Sequence, residues 1–123
     1  VNRTQQRSFV RIAAMLPVMI SSVADEDEEI ELRPVMSKDI SGGGILLVLK
    51  EPLDIGTKLQ LAIDIPDMGT IETLGEVVRV DQPQTDRPLF WVAVRYLEIN
   101  ERLRSKIIKY IFTKQVEQRQ KGV

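Results

Sequence analysis

The chain has 123 residues, with 17 Lys or Arg against 18 Asp or Glu, and its formal net charge is −1. This length predicts one domain with a single core, and a hydrophobic fraction of 43% excludes disordered and collagen-like classes. The chain contains no His and no Cys, which excludes a Ser-His-Asp or Cys-His nucleophile, a thiol redox centre and nearly all zinc sites. We therefore expect neither an enzyme nor a metal site.

Charge and hydropathy also argue against nucleic acids and membranes as partners. A near-neutral chain with few aromatic residues lacks the basic, aromatic-rich groove of a nucleic-acid-binding barrel, so we expect no DNA or RNA. No apolar run approaches the ~20 residues of a membrane span. The polar residues 1–7 have no signal-peptide pattern, so the cytoplasm is the expected compartment. Because the chain does not begin with Met, we expect a preceding domain.

Six stretches are predicted as β-strands, four of them from side chains that alternate with a period of two. They cover residues 10–20, 30–36, 45–49, 59–65, 71–80 and 90–96. The first has apolar residues at consecutive positions, which predicts that both of its faces are covered, and Pro17 in it predicts an edge position or a bulge. In the second, the apolar set Ile30, Leu32, Pro34 and Met36 is expected opposite a solvated face. Gly69 is predicted at positive φ in a hairpin loop.

A helical period follows the last strand. Apolar residues recur at helical spacing, namely Leu103, Ile107, Ile108, Ile111 and Phe112. Asn100 is the predicted N-cap, and Glu101 in the first turn suits the helix dipole. The sequence therefore predicts an all-β fold, a six-stranded antiparallel barrel with a C-terminal α-helix. The expected division is an arm over residues 1–9, the barrel over 10–99 and the helix over 100–121, in one domain over 1–123.

Two short motifs lie at the ends of predicted strands. An R-x-x-x-R run extends from Arg7 to Arg11, and a D-x-S-x-x-G run extends from Asp39 to Gly44. Each alone has an ordinary explanation, a solvated basic stretch or a flexible turn. Together, at the mouth of a six-stranded barrel, they resemble the PilZ domain family. The resemblance covers nearly the whole chain and departs from the family at Ala93, where the family often has Gly.

The resemblance implies a bacterial receptor for the second messenger cyclic di-GMP, with no further cofactor. It implies that Arg7 and Arg11 bind phosphate and guanine. It also implies that Asp39 and Ser41 bind a guanine edge. Two further implications concern the turn and the arm. Gly44, and after it Gly43, would shape the turn. Arg3 and Gln6 lie beside the first motif arginine as further possible ligand-binding residues. Gln6 is small enough to leave room for an intercalated pair of ligands.

The chemistry of these residue types fits that ligand independently. The N7 and O6 atoms of guanine form an acceptor pair that an Arg guanidinium meets with two hydrogen bonds, and the same group binds phosphate. The N1–H and N2–H donors of guanine require an acceptor, which the carboxylate of Asp39 supplies. The glycines from Gly42 to Gly44 permit positive φ and a close approach of ligand to backbone.

The sequence leaves a second interpretation open. Some PilZ-like domains act as adaptors that bind proteins without a ligand, although those usually lack the arginines or the D-x-S-x-x-G run. Similarity of the helix to that of flagellar-brake relatives favours control of motility through altered contacts with a protein partner or a preceding domain. Arg79 could face the ligand site, but a solvated face is the expected place for a strand arginine. Trp91 could contact a ligand or partner, but a packing role is expected for it. The acidic run over 25–29 is expected at a hairpin tip rather than in a calcium loop.

Overall fold

The computed structural model of the chain describes residues 9–23 and 31–121. These residues form seven strands and one helix. The elements are β1 (Arg11–Ala13), β2 (Pro17–Ser22), β3 (Arg33–Ser41), β4 (Gly44–Leu49), β5 (Lys58–Ile65), β6 (Gly69–Asp81), β7 (Phe90–Leu97) and α1 (Glu101–Lys121). The acidic run over residues 25–29 and the predicted strand residue Ile30 lie outside the described residues.

Six of the strands close into a barrel. Antiparallel pairs connect them in the order β2, β3, β4, β7, β6 and β5, and β5 pairs back with β2. The seventh strand, β1, pairs only with β3. The predicted six-stranded antiparallel barrel with a C-terminal helix is therefore confirmed, with one short strand added at the side of β3.

The strands β1 and β2 are two parts of the predicted first strand. Both pair along the same side of β3, and the break between them lies at residues 14–16. The buried hydroxyl of Ser37 bridges this break, because it accepts a hydrogen bond from the Leu16 N–H at 2.9 Å and donates one to the Ala14 carbonyl. Pro17 begins β2 directly after this irregularity. The expected edge position is wrong, since β2 pairs with both β3 and β5.

The outer faces of the first two predicted strands are exposed, which corrects two expectations. Met15 is 76% exposed, so the first strand is not covered on both faces. Leu32 is 63% exposed and Met36 faces outward as well, whereas Ser37 faces inward. A register shift between Ser37 and Asp39 inserts one extra residue, which inverts the alternation of the residues that precede it.

The core fills the barrel and continues beneath the helix. Fully buried residues alternate along β5 and β6 and are joined by residues of β2, β4 and β7. The helix α1 packs on β1 and β3 and buries Ile107, Tyr110 and Ile111. Of the predicted apolar set, Ile108 and Phe112 remain exposed. The part of the chain that the structure describes contains no helix with the length and hydropathy of a membrane span.

Two of the local predictions are confirmed. The side chain of Asn100 caps α1, because its Oδ1 atom accepts a hydrogen bond from the Arg102 N–H at 2.7 Å. The loop between β5 and β6 reverses through two residues in the left-handed region, Asp67 with φ of 67° and Gly69 with φ of 81°. These two boundaries fix where the long strand β6 and the helix begin.

Candidate functional site

The turn between β3 and β4 consists of Gly42 and Gly43. It is held from one side by Ser41, whose hydroxyl accepts hydrogen bonds from the N–H groups of Gly43 at 3.1 Å and Gly44 at 3.2 Å. The positive-φ glycines among the described residues are Gly56 and Gly69, so this turn does not use the left-handed region. The freedom to adopt positive φ that glycine gives at Gly42 to Gly44 is therefore not used here.

The glycines are required by close packing instead. Gly44 pairs with Arg95 of β7, and a Cβ atom built on Gly44 would overlap the carbonyl oxygen of Val94. Because that oxygen belongs to the backbone of a barrel strand, it cannot move aside as the tip of a flexible side chain could. Gly44 thus allows β4 and β7 to pair up to the edge of the turn.

Asp39 and Arg11 form an ion pair next to this turn. The pairing of β1 with β3 places Arg11 opposite Ser41, and the Arg11 Nε atom lies 3.6 Å from Asp39 Oδ1. The side chain of Asp39 is 16% exposed, whereas that of Arg11 is 62% exposed. Burial raises the pKa of the Asp39 carboxyl above its ordinary value, and the cations of Arg11, Lys38 and Arg79 partly oppose this.

Two more arginines approach the same place from β6 and β7. Arg79 pairs in register with Ala93, and Arg95 pairs with Gly44. Each has an acidic partner: Arg79 Nε donates to Asp81 Oδ2 at 2.8 Å, and two nitrogens of Arg95 donate to Glu76 Oε1 at 2.9 and 2.6 Å. Both side chains are more than half exposed, so their guanidinium groups are accessible to an anion.

A single cavity of about 620 Å³ contains these groups. Its volume lies within the range of about 300–1,000 Å³ that is typical of small-molecule sites. Five of the eight candidate residues line it, namely Arg11, Asp39, Ser41, Gly43 and Gly44. The other three candidates, Arg3, Gln6 and Arg7, lie outside the described residues.

Phe9, which lies between the two arginines of the R-x-x-x-R motif, packs on the glycine turn. A Cβ atom on Gly42 would be 2.8 Å from Phe9 Cδ1, and one on Gly43 would be 3.1 Å from Phe9 Cδ2. The guanidinium of Arg104, on α1, lies 5.1 Å from the centre of the Phe9 ring. This contact attaches the arm to both the turn and the helix.

The buried side chain of Tyr96 supports the end of β3. Its hydroxyl donates a hydrogen bond of 3.2 Å to the carbonyl oxygen of Ser41. Burial raises the pKa of Tyr96, an effect that the cation of Arg104 partly opposes, so the hydroxyl stays protonated and remains a donor. Sequence reasoning missed the contributions of Tyr96, Phe9 and Arg95. An aromatic residue between two motif arginines was the one available signal.

The arrangement is suited to an anionic ligand with a polar planar group. Guanidinium forks bind phosphate oxygens or an acceptor pair on a base edge. The carboxylate of Asp39, partly withdrawn from water, accepts hydrogen bonds from N–H donors on a second edge. The cavity lining supplies three guanidinium groups, from Arg11, Arg79 and Arg95, within one site.

The PilZ domain family model matches residues 5–113. The chain belongs to the PilZ domain family. No curated protein matches the chain. The match extends across the barrel and the first part of α1, so this PilZ domain includes both the glycine turn and the arm residue Phe9.

Solved structures of other PilZ proteins share this fold. The inhibitor of motility MotI/DgrA from Bacillus subtilis is 27% identical, with a TM-score of 0.76 over 92% of this chain and 53% of that one. The PilZ domain of YcgR from Escherichia coli, solved with c-di-GMP, is 18% identical, with a TM-score of 0.68 over 96% of this chain and 98% of that one. The MrkH–c-di-GMP complex from K. pneumonia is 19% identical, with a TM-score of 0.74 over 94% of this chain and 55% of that one. The chain thus spans about half the length of MotI and MrkH.

Proposed function

We propose that this PilZ domain is a receptor for cyclic di-GMP that converts ligand binding into altered protein contacts. The observation that carries the proposal is the convergence of Arg11, Asp39, Ser41, Gly43 and Gly44 on one cavity, although they come from two separate sequence motifs. The bound cyclic di-GMP in structures of two related PilZ proteins supports the same ligand.

In this proposal the Arg11–Asp39 ion pair separates and each member binds a part of the ligand. The Arg11 guanidinium donates to the N7 and O6 acceptors of guanine or to a phosphate oxygen. The Asp39 carboxylate accepts from the N1–H and N2–H donors of guanine. The separation at 3.6 Å exceeds hydrogen-bond distance, so little is lost when the two side chains part.

Ser41 has a mainly supporting role in the proposed complex. Its hydroxyl already accepts two N–H groups of the turn, and it therefore holds the backbone against which the ligand lies. Arg79 and Arg95, which come from β6 and β7, add guanidinium groups to the cavity that can bind the phosphates of the ligand. Arg7, and Arg3 and Gln6 beside it, complete the site as the family resemblance implies.

The proposed signal passes through Phe9. The ring contacts the glycine turn and lies near Arg104 of α1, so arm residues that close over a ligand remain connected to the helix. Ordering of an arm by a ligand is a known way to reorient neighbouring segments. A protein partner or a preceding domain would respond to that change.

We propose that the domain acts in the cytoplasm and that its biological role is the control of motility. The likeness to the B. subtilis inhibitor of motility, at 27% identity, supports it. The corresponding test is the swimming of a motile bacterium that expresses this domain. We expect slower swimming when cyclic di-GMP is raised, and no such effect from the Arg11→Ala variant. Equal inhibition by both proteins would instead support the adaptor function, which needs no ligand.

Calorimetric titration with cyclic di-GMP tests the receptor function directly. We expect saturable heat from the unaltered chain, with a stoichiometry that distinguishes a single ligand from an intercalated pair. Arg11→Ala should weaken binding by about tenfold or more, since a hydrogen bond to a charged group contributes about 1.5–3 kcal/mol. The matched control is Arg102→Ala, which removes an exposed arginine outside the cavity. Absence of heat from a folded chain would overturn the proposal.

A further inference from the structure

The outer face of the barrel carries a continuous apolar row beside the ligand cavity. Cross-strand pairs connect its four members, which come from four adjacent strands. Pro17 pairs with Met36, Met36 with Val48, and Val48 with Trp91. Directly paired residues share a face of the sheet, so these side chains lie next to one another outside the barrel.

Three members of this row, Met36, Val48 and Trp91, form the floor of a groove of about 760 Å³. Additional apolar residues that line the groove are exposed to different extents: Met15 by 76%, Leu32 by 63% and Leu89 by 38%. None of the residues that line the groove lines the ligand cavity, so the two are separate surfaces. Contiguous exposed apolar area on a folded domain marks an interaction site, and methionine adapts its shape to a bound partner.

The charged residues around the groove are mostly basic. Of the described residues that line it, Arg33, Lys38 and Lys50 are basic and Glu31 is acidic, and Arg33 also lies 4.0 Å from the carboxylate of Glu51. This local excess of positive charge contrasts with the net charge of −1 for the chain. Lys38 lies over the Trp91 ring, with its Nζ atom 4.7 Å from the ring centre, and so borders the apolar floor. A partner with acidic side chains would complement this rim.

The shape of the barrel favours a helix over a strand as the occupant. Among the described residues, each strand from β2 to β7 pairs with two neighbours, and only the short β1 has an unpaired side, so the strands beneath the groove offer no free edge for strand addition. The part of the row that lines the groove, from Met36 to Trp91, crosses two strand spacings, or about 10 Å. Two turns of helix cover about 11 Å, which places apolar anchors of spacing i, i+3 or i+4, and i+7 along the row.

We propose that this groove binds an amphipathic helix of a protein partner. The apolar side of the helix would contact Met36, Val48 and Trp91, and acidic residues at its flanks would pair with Lys38 and Lys50. A concave groove receives a ridge of side chains, whereas a lipid bilayer offers a flat surface. The inference is independent of cyclic di-GMP, because the groove and the ligand cavity share no lining residue.

Trp91 makes the test direct because it is the only tryptophan in the chain. The probe is a synthetic helical peptide of about 18 residues, with leucine at the anchor spacing and glutamate on the opposite side. The comparison peptide has lysine in place of every glutamate. We expect a saturable shift of Trp91 fluorescence with the acidic peptide and at least a tenfold weaker response with the basic one.

Two variants in the groove and one outside it locate the binding. Met36→Glu and Leu32→Glu should abolish the response to the acidic peptide while circular dichroism and the melting temperature stay unchanged, since both side chains are exposed. Ile55→Glu changes a side chain that is 70% exposed outside the groove and should leave the response intact. Lys50→Glu should shift the preference toward the basic peptide.

Four outcomes would overturn the proposal. The first is no fluorescence shift at any peptide concentration, and the second is an equal response to the acidic and basic peptides. The third is a shift only with vesicles that contain phosphatidylglycerol, which would make this face a membrane surface. Retention of peptide binding in both Met36→Glu and Leu32→Glu would likewise exclude the groove as the binding site.

Discussion

The aromatic ring of Phe9 lies directly on the backbone of Gly42, so that a Cβ atom there would be 2.8 Å from Phe9 Cδ1. This contact joins two sequence motifs that are far apart along the chain. Phe9 belongs to the R-x-x-x-R run, and Gly42 belongs to the D-x-S-x-x-G run. Because Gly42 has no side chain, the Phe9 ring can pack on its backbone and hold the arm that carries the motif arginines.

Gly42→Ala should weaken the binding of cyclic di-GMP by about tenfold, or ~1.4 kcal/mol, because the added methyl group displaces Phe9 and with it Arg11. Phe9→Ala should produce a similar loss. In the double variant the two losses should not add, since the methyl group then has no ring to displace. Calorimetry on the four proteins measures this coupling. Fully additive losses would show that the ring contact does not position the arm.

Asp39→Asn should stabilise the fold at neutral pH and weaken ligand binding. Burial raises the pKa of Asp39 in the folded chain, so ionisation of this carboxyl opposes folding above the raised pKa. That cost is absent below the pKa of the unfolded chain, where both states hold the proton. Urea unfolding should therefore show a larger gain at about pH 7 than at about pH 3. A loss of stability at neutral pH would contradict this account of Asp39.

The affinity for cyclic di-GMP should fall as the pH is lowered through the raised pKa of Asp39. A protonated carboxyl loses part of its capacity to accept the N–H donors of guanine. Calorimetric titrations between about pH 7 and about pH 4 measure the effect. The Asp39→Asn variant is the control and should show a flat profile. An equal decline in both proteins would assign the pH dependence to another group.

Gly44→Ala should lower the free energy of unfolding by about 1–3 kcal/mol, because its Cβ atom would overlap the Val94 carbonyl oxygen and force β4 and β7 apart. Gly56→Ala is an informative comparison. Gly56 has φ of 94° and no atom within 4 Å of a built Cβ, so its cost is only conformational, about 1–2 kcal/mol. Gly44→Ala should also abolish ligand binding, whereas Gly56→Ala should not. Normal ligand affinity in Gly44→Ala would contradict the role of this close approach.

The barrel could be predicted from sequence because several strands, such as β5 and β7, alternate clearly and the strands are separated by strong turn signals. Which side chains of β3 point into the barrel could not be predicted in the same way. Ile40, Met36 and Leu32 have the same parity, so simple alternation places all three inside. The register shift between Ser37 and Asp39 leaves only Ile40 inside. A bulge of this kind depends on pairing with β4, which local sequence does not encode.

Only some of the residues that line the site could be predicted from the sequence. The family resemblance named the motif residues, and the pairing of β1 with β3 brings Arg11 next to Asp39. Arg79 and Arg95 enter the cavity through the register of β6 and β7, which no motif indicated. A polar residue at every second position of a strand indicates an outward face, but it does not distinguish a face that contacts only water from one that binds a ligand. The binding roles of all these residues remain predictions for the experiments above.

The most direct measurement is a titration of the isotope-labelled chain with cyclic di-GMP, followed through its backbone amide resonances. The account predicts saturable shifts at Arg11, Ser41 and Gly43, with little change at the remote turn glycines Gly56 and Gly69. Shifts confined to another surface, or no shifts from a folded chain, would contradict the claim that this cavity binds cyclic di-GMP.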